Sequence, residues 1–242
     1  MPKVLLALTS YHDHLYPSGR KTGIFLLGVL EPFKLYKKHG FEVDFVSETG
    51  TCGVDELSIQ SEYFPKEDRE YLSKHADCEF RQMMKHIKHV DQIKADDYDI
   101  FFACAGHGAL FDFPNSKLLK IAETMYNHGK IIATICQSAV IFDGLMDLYG
   151  TPIIEGRSIT GLPNIGQKLL LVDEVIRRKN LFTVPEVAER MGAKYLTPVG
   201  PFTDFSIADG RIITGANFKS SNSAVVRTIM VYKELRDLGR QI

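Results

Sequence analysis

The chain has no excess of charge of either sign: 29 lysines and arginines face 30 aspartates and glutamates, for a formal net charge of −1. That balance offers no basic surface to neutralise phosphates, which argues against nucleic acid as a partner. Cysteine is scarce. Cys52, Cys78, Cys104 and Cys136 lie far apart, with no C-x-x-C and no zinc-ligand spacing. Such usage fits a reducing compartment better than a disulfide scaffold, and it predicts no metal site and no bound cofactor. Long hydrophobic runs are missing too, the longest stopping far short of the ~18–20 apolar residues of a membrane span. No basic segment leading into an apolar core opens the chain, and no repeat or low-complexity tract interrupts it. These absences predict a cytosolic protein, with access to the nucleus, that engages neither membrane nor nucleic acid.

Short buried strands and amphipathic helices are what the chain does contain. At 242 residues it is long enough to hold a core without staples. Lys3–Thr9, Tyr98–Cys104 and Lys130–Ile135 are continuous apolar runs of strand length, suited to a sheet covered on both faces. Glu42–Ser47 alternates as a further strand. Helices are expected from Thr22 to about Lys38 (with Pro32 kinking or dividing it), Ser116–Asn127, Lys168–Arg178, Val184–Met191 and Ser221–Leu238. Further strand material lies near Ser158–Thr160, at Tyr195–Val199 and at Arg211–Thr214. Strands alternating with helices predict an α/β fold, a mostly parallel sheet with helices on both faces. One domain is expected, with insertions at about 48–97 and 143–157. Within the first insertion only Phe80–Ile87 has helical periodicity, and a loop of that length suits a lid or a binding element.

The most informative stretch is Lys130–Phe142, where a β-branched run ends on Cys136 and helical spacing begins at once. A residue at such an elbow projects above the strand ends, where open α/β sheets place their sites. A helix N-terminus there would favour a thiolate. The alternative is an inert buried cysteine packed as a small hydrophobe. Gly106-His107-Gly108 also follows a strand. It lacks the third glycine of a dinucleotide loop, so it reads either as a tight turn offering oxyanion donors or as glycines that let the backbone pass. His107 itself reads as a buried, hydrogen-bonded histidine. Elsewhere His86 and His89 are the one near-pair of histidines, placed in the polar insertion and expected to be solvated.

Several segments together resemble the ThiJ/PfpI superfamily, and within it the heat-shock protein 31 class of fungal glutathione-independent glyoxalases and holding chaperones. They are KVLLALTSY at the start, KTGIF at 21–25, GFEVDFVSETG at 40–50 and ADDYDIFFACAGHGALFDFP at 95–114. IFDGL at 141–145, IIEGRSITG at 153–161, AKYLTPVGPF at 193–202 and DGRIITGAN at 209–217 complete the match. The resemblance implies a flavodoxin-like sandwich, a small cap formed by the insertions, a homodimer and a thiol-based site. In that family the thiol adds to an α-oxoaldehyde such as methylglyoxal, and a histidine and glutamate move a proton between its carbons to yield a 2-hydroxy acid.

Carried onto this chain, the nucleophile is Cys136, with Gly106 and His107 in the neighbouring loop. The other positions depart. Gln137 stands where the family has histidine, followed by Ser138-Ala139 instead of Gly-Pro. Gly28 stands at the first-helix glutamate, Gln167 at the loop glutamate, and Asn217-Phe218 in place of Asn-Pro. Amides do not exchange protons at neutral pH, and each lost acid–base role costs roughly 10²–10⁴ in rate. Glu31, one helical turn past Gly28, reads as a solvated side chain. These departures predict little glyoxalase activity. The leading expectation is a holding chaperone for unfolded clients, or a thiol at Cys136 reactive to peroxide or aldehyde; a working methylglyoxal-to-lactate glyoxalase is the alternative.

Overall fold

The unbroken apolar runs require strands covered on both faces, and the structure covers them so. A computed structural model describes residues 1–74 and 78–239. Residues 75–77, inside the first expected insertion, lie outside the described residues. In chain order the elements are β1 (Lys3–Ala7), α1 (Leu27–Lys38), β2 (Glu42–Ser47), α2 (Lys66–Lys74), α3 (Glu79–Lys85), β3 (Lys88–His89) and β4 (Ile100–Ala103). There follow α4 (Ala109–Asp112), α5 (Lys117–Asn127), β5 (Ile131–Ile135), β6 (Ser158–Ile159), α6 (Asn164–Leu169) and α7 (Asp173–Arg178). The chain then forms α8 (Val184–Arg190), β7 (Lys194–Tyr195), β8 (Ser206–Asp209), β9 (Ile212–Gly215) and α9 (Ser221–Asp237).

Seven strands make one sheet in the order β3-β2-β1-β4-β5-β9-β8, parallel except for the antiparallel β8–β9 edge. β6 and β7 pair separately. Alternate side chains divide between two cores. Val4, Leu6, Phe102 and Ala133 lie in one, with Phe33 and Tyr36 of α1 and Ile229 and Tyr232 of α9. Leu5, Ala7, Phe101 and Ile132 lie in the other, with Ala122 and Met125 of α5 and Val187 of α8. The chain leaves β1 toward β2 and returns on its other side at β4, so the crevice above β1 and β4 is the sheet's switch point. Asp112 ties that edge together, accepting hydrogen bonds from Thr9 Oγ1 (2.9 Å), Ser10 N (2.7 Å) and Tyr11 N (3.2 Å).

Where the elements depart from expectation, a specific contact accounts for it. The first helix starts at Leu27 rather than Thr22, because the segment between them is held extended. Ile24 N donates to Gly53 O (2.9 Å) and Phe25 N to Ala105 O (2.8 Å), while Thr22 Oγ1 donates to Asp55 instead of capping the helix. α1 then runs without a break through Pro32. The helix expected over Lys168–Arg178 is two, α6 and α7, divided near Leu171 at φ 56°. The strand expected over Tyr195–Val199 shrinks to β7, and β8 carries no alternation strong enough to be read. The first insertion holds α2 as well as α3.

Gly28 decides how closely α1 approaches the sheet. A Cβ there would stand 2.5 Å from the Ala105 Cβ, below any real contact distance. Gly28→Ala is therefore expected to destabilise the protein by about 1–3 kcal/mol through overpacking, despite alanine's better helix propensity. Urea denaturation measures this, and the loss is expected to shrink in an Ala105→Gly background.

Candidate functional site

β5 ends in a corner. Cys136 has φ 62°, in the left-handed region that L residues avoid, and the chain turns there into a 3₁₀ helix over Cys136–Phe142. Such a conformation costs of order 1–3 kcal/mol and persists only where its surroundings impose it. Ser138 is one of those constraints. Its Oγ accepts from Ile135 N (3.1 Å) and sits 2.8 Å from Ala103 O and 2.6 Å from Ile135 O, so its single proton goes to one of these carbonyls. The serine that replaces the family glycine thus clamps the corner to β4.

Burial opposes the expected activation of the thiol. Cys136 is 5 % exposed, and burial pushes its pKa up to about 12; the Gln137 backbone N–H lowers it and the charge of Asp55 raises it further. A tight 3₁₀ turn contributes one N–H where the expectation assumed a full α-helix terminus, and desolvation wins. At pH 7 the thiolate fraction is then on the order of 10⁻⁵. Oxidation by peroxide runs through the thiolate, so the redox expectation loses its electrostatic support.

The amides expected at the family's proton-carrier positions are buried. Gln137 is fully buried, with no protein partner for Oε1 or Nε2, and Gln167, on α6, is nearly fully buried with no partner for Nε2. Gly28 offers no carboxyl, and Glu31 is turned away: it pairs with Lys34 (2.8 Å) and accepts from Asn222 Nδ2 (3.0 Å). Asn217 is structural, its Nδ2 donating to Thr203 O (2.6 Å) and its Oδ1 accepting from Lys219 N (2.9 Å). Phe218 beside it stacks on Phe25 at 4.4 Å between centroids. Among the described residues no group of three or more His, Cys, Asp or Glu is placed to hold a metal, and His86 and His89 each engage nearby backbone.

The β4 loop lies beside the corner. Ala103 pairs with Thr134 near the end of the β4–β5 register, so the loop that carries Gly106 and His107 and the Cys136 corner leave adjacent strands. Gly106 is there for close passage: a Cβ would lie 2.3 Å from Gly23 O. His107 is buried, but it is not the fully bonded histidine expected. Nδ1 lies 3.5 Å from Tyr16 Oη, and Nε2 has no protein partner. Tyr16 Oη in turn donates to Asp55 Oδ2 (2.8 Å), and Asp55 is fully buried. Neither Tyr16 nor Asp55 carries a signal in the sequence, since a lone aspartate in a polar insertion fits no spacing.

Burial lowers the His107 pKa to about 4. Below the ordinary histidine value near 6.5 the unfolded chain takes up a proton that the folded chain refuses. His107 therefore favours the fold above pH ~6.5, and that contribution is lost as pH falls to about 4, a change of about 3 kcal/mol. Asp112, raised to about 6 by burial, has the opposite slope over part of the same window. The difference in unfolding free energy between wild type and His107→Gln, measured in urea from pH 7 to 4, is accordingly expected to move toward the variant as pH falls.

Comparison with known proteins agrees with this geometry. The model of the DJ-1/PfpI family matches residues 23–221. The chain is 50% identical over 233 residues to the glutathione-independent glyoxalase HSP31 of Saccharomyces cerevisiae, covering 96% of this chain and 98% of that protein. It is 44% identical to glyoxalase 3 of Candida albicans, covering 91% and 94%. The crystal structure of glyoxalase III from Candida albicans superposes with a TM-score of 0.92 at 42% identity, covering 95% of this chain and 97% of that one. Among the described residues no helix is long and apolar enough to cross a membrane. With a mostly parallel sheet, a cysteine corner at the end of β5 and relatives matched over nearly their whole length, the chain belongs to the DJ-1/PfpI family.

Proposed function

We propose that the protein carries out glutathione-independent glyoxalase chemistry on α-oxoaldehydes such as methylglyoxal, with Cys136 as nucleophile and with proton transfer slowed by its neutral neighbours. The observation that carries this is the strained corner at Cys136, maintained although the residues around it have changed. The similarity to proteins named glutathione-independent glyoxalases favours this reading over a thiol sensor or a chaperone without activity. In the reaction the sulfur bonds to the aldehyde carbon and the thiol proton passes to the carbonyl oxygen. The C1 proton then moves to C2 and the C1 hydroxyl proton to the C2 oxygen, giving a thioester that water hydrolyses to the 2-hydroxy acid and free thiol. Gln137 and Gln167 can hydrogen-bond the adduct but cannot move that C1 proton.

Purified protein is expected to form lactate from methylglyoxal at least about 10²–10⁴-fold more slowly than the yeast relative. Cys136→Ala should abolish the product, and Gln137→His with Gln167→Glu should raise it. Lactate formation indifferent to Cys136→Ala would overturn the reading, as would its absence from both wild type and the double variant.

A second reading, holding of unfolded clients, is supported by apolar side chains left outside around α6 and α7. Ile165, Leu169, Leu171 and Phe182 are all exposed, Leu169 and Leu171 by 60 and 65 %. Phe182 and α6 share a cavity of about 410 Å³. Suppression of thermal aggregation of a model client, read by light scattering, is expected to survive Cys136→Ala and to fall with Leu169→Asp and Leu171→Asn together. No suppression by wild type removes this reading.

A further inference from the structure

At the end of the sheet opposite Cys136, the short turn Gly210–Arg211 joins β8 to β9 beside a cavity of about 560 Å³. Tyr126, Arg157 and Arg211 line it, together with Val231, Leu235 and Leu238 along α9 and just past its end. Lys130, whose carbonyl Arg211 bonds, precedes β5, and Cys136 follows that strand. The length of β5, roughly 20 Å at ~3.3 Å per residue, therefore lies between this cavity and the thiol.

Arg211 has a structural task, but it occupies only part of the guanidinium. Nη1 donates to Tyr126 O (2.7 Å) and Lys130 O (2.6 Å), and the group stacks on the Tyr126 ring, 4.1 Å from its centroid. The bond to Tyr126 O closes the last turn of α5, where a cation is favourable. Nε and Nη2 meet no protein acceptor among the described residues, and no carboxylate there pairs with Arg211. Those two nitrogens form one edge of the planar group, a fork of parallel N–H bonds that matches the two oxygens of a carboxylate. Arg157 reaches the same tyrosine: Nη2 donates to Tyr126 Oη (3.4 Å), while Nη1 pairs with Asp209 (3.1 Å) and Nε donates to Ile153 O (3.0 Å). Gly210 leaves it room, since a Cβ there would stand 3.1 Å from Arg157 Nη1. Asp209 thus offsets one guanidinium, and Glu234, also on the cavity wall, is exposed to water. The second guanidinium has no buried counter-charge. Burial lowers the Arg211 pKa; Tyr126 opposes this and the Arg157 charge adds to it.

We propose that this cavity binds an organic acid, its carboxylate seated on the Nε–Nη2 edge of Arg211 beside Arg157 and its apolar body laid along Val231, Leu235 and Leu238. Three features select that class of ligand. The fork calls for two oxygens in one plane. One guanidinium without a counter-charge suits a monoanion, whereas a phosphate dianion would also face Glu234 and the Asp209 carboxylate. The aliphatic wall, with Leu238 left 61 % exposed, gains from being covered by an apolar group. None of these residues belongs to the Cys136 site, so the inference stands apart from the aldehyde reading given above.

The full chain can be tested with 4-phenylbutyrate as the probe and 4-phenylbutyramide as its neutral counterpart. Calorimetry is expected to give one site for the acid, with a Kd on the order of 0.1 mM, and binding of the amide weaker by about tenfold or more. In ¹H–¹⁵N spectra the Arg211 Nε–H signal, assigned by its loss in Arg211→Lys, is expected to shift as the acid is added. Arg211→Lys keeps the charge but not the fork, and should weaken binding about tenfold. Leu238→Asp sets a like charge on the apolar wall and should weaken it comparably; its exposed position keeps it informative should Arg211→Lys fail to fold. Cys136→Ala should bind the acid as wild type does. Absence of saturable binding at millimolar acid overturns the proposal, as does equal binding of the amide or unchanged affinity in either folded variant. Inorganic phosphate displacing the acid with comparable affinity overturns the carboxylate assignment, and loss of binding in Cys136→Ala would move the acid to the thiol and overturn the site.

Discussion

The site depends on a single corner. β5 can deliver Cys136 to the top of the sheet only if the backbone takes a left-handed turn directly after Ile135, and Ser138 holds that turn by bonding to the strand it has just left and to the end of β4. Because β4 and β5 are locked in parallel register, clamping one fixes the loop of the other. Gly106 and His107 are placed by the same constraint, and so is Gly23, whose carbonyl Gly106 passes closely.

Burial sets the chemistry of everything gathered there. Cys136 and Asp55 are pushed up and His107 is pushed down, each toward its uncharged form, chiefly by one cause: burial withdraws the solvation that a charge needs. Of the three only Asp55 has hydrogen bonds in number to resist. A buried neutral thiol is a poor target for peroxide, since little thiolate stands ready. It suits a reactant that carries its own polar oxygen and can receive the proton as the bond forms. Glutamines at 137 and 167 are consistent with such surroundings, because amides keep them polar without adding charge.

Much of the fold was legible in the sequence, and the reasons are local. The uninterrupted runs of β1, β4 and β5 announce a sheet covered on both faces, and the switch of period at Cys136 marks the corner. The limits of α1 were misread because Thr22 looks like a helix cap, whereas Asp55, 33 residues further on, claims its hydroxyl. β8 was missed because a four-residue edge strand has too few positions to show alternation. At the site Cys136 stood out through the switch of period, and Gln137 and Gln167 entered only through the family resemblance. Tyr16 and Asp55 were not, since each matters only through contacts made across loops. The strength of the thiol was misjudged because sequence spacing reveals a turn but not how deeply it is buried.

The close seat of α1 on the end of β4 also bears on descent. Gln137 and Gln167 each differ from the family residue by one side chain of similar size, so either could revert in place. Gly28 is different: once the helix settled onto Ala105 the room for a longer residue was gone, and regaining it means lifting a whole element of the sandwich. Rebuilding the site therefore has an order: the two glutamines can be exchanged one at a time, whereas a carboxyl at position 28 first needs α1 or the Ala105 loop to move.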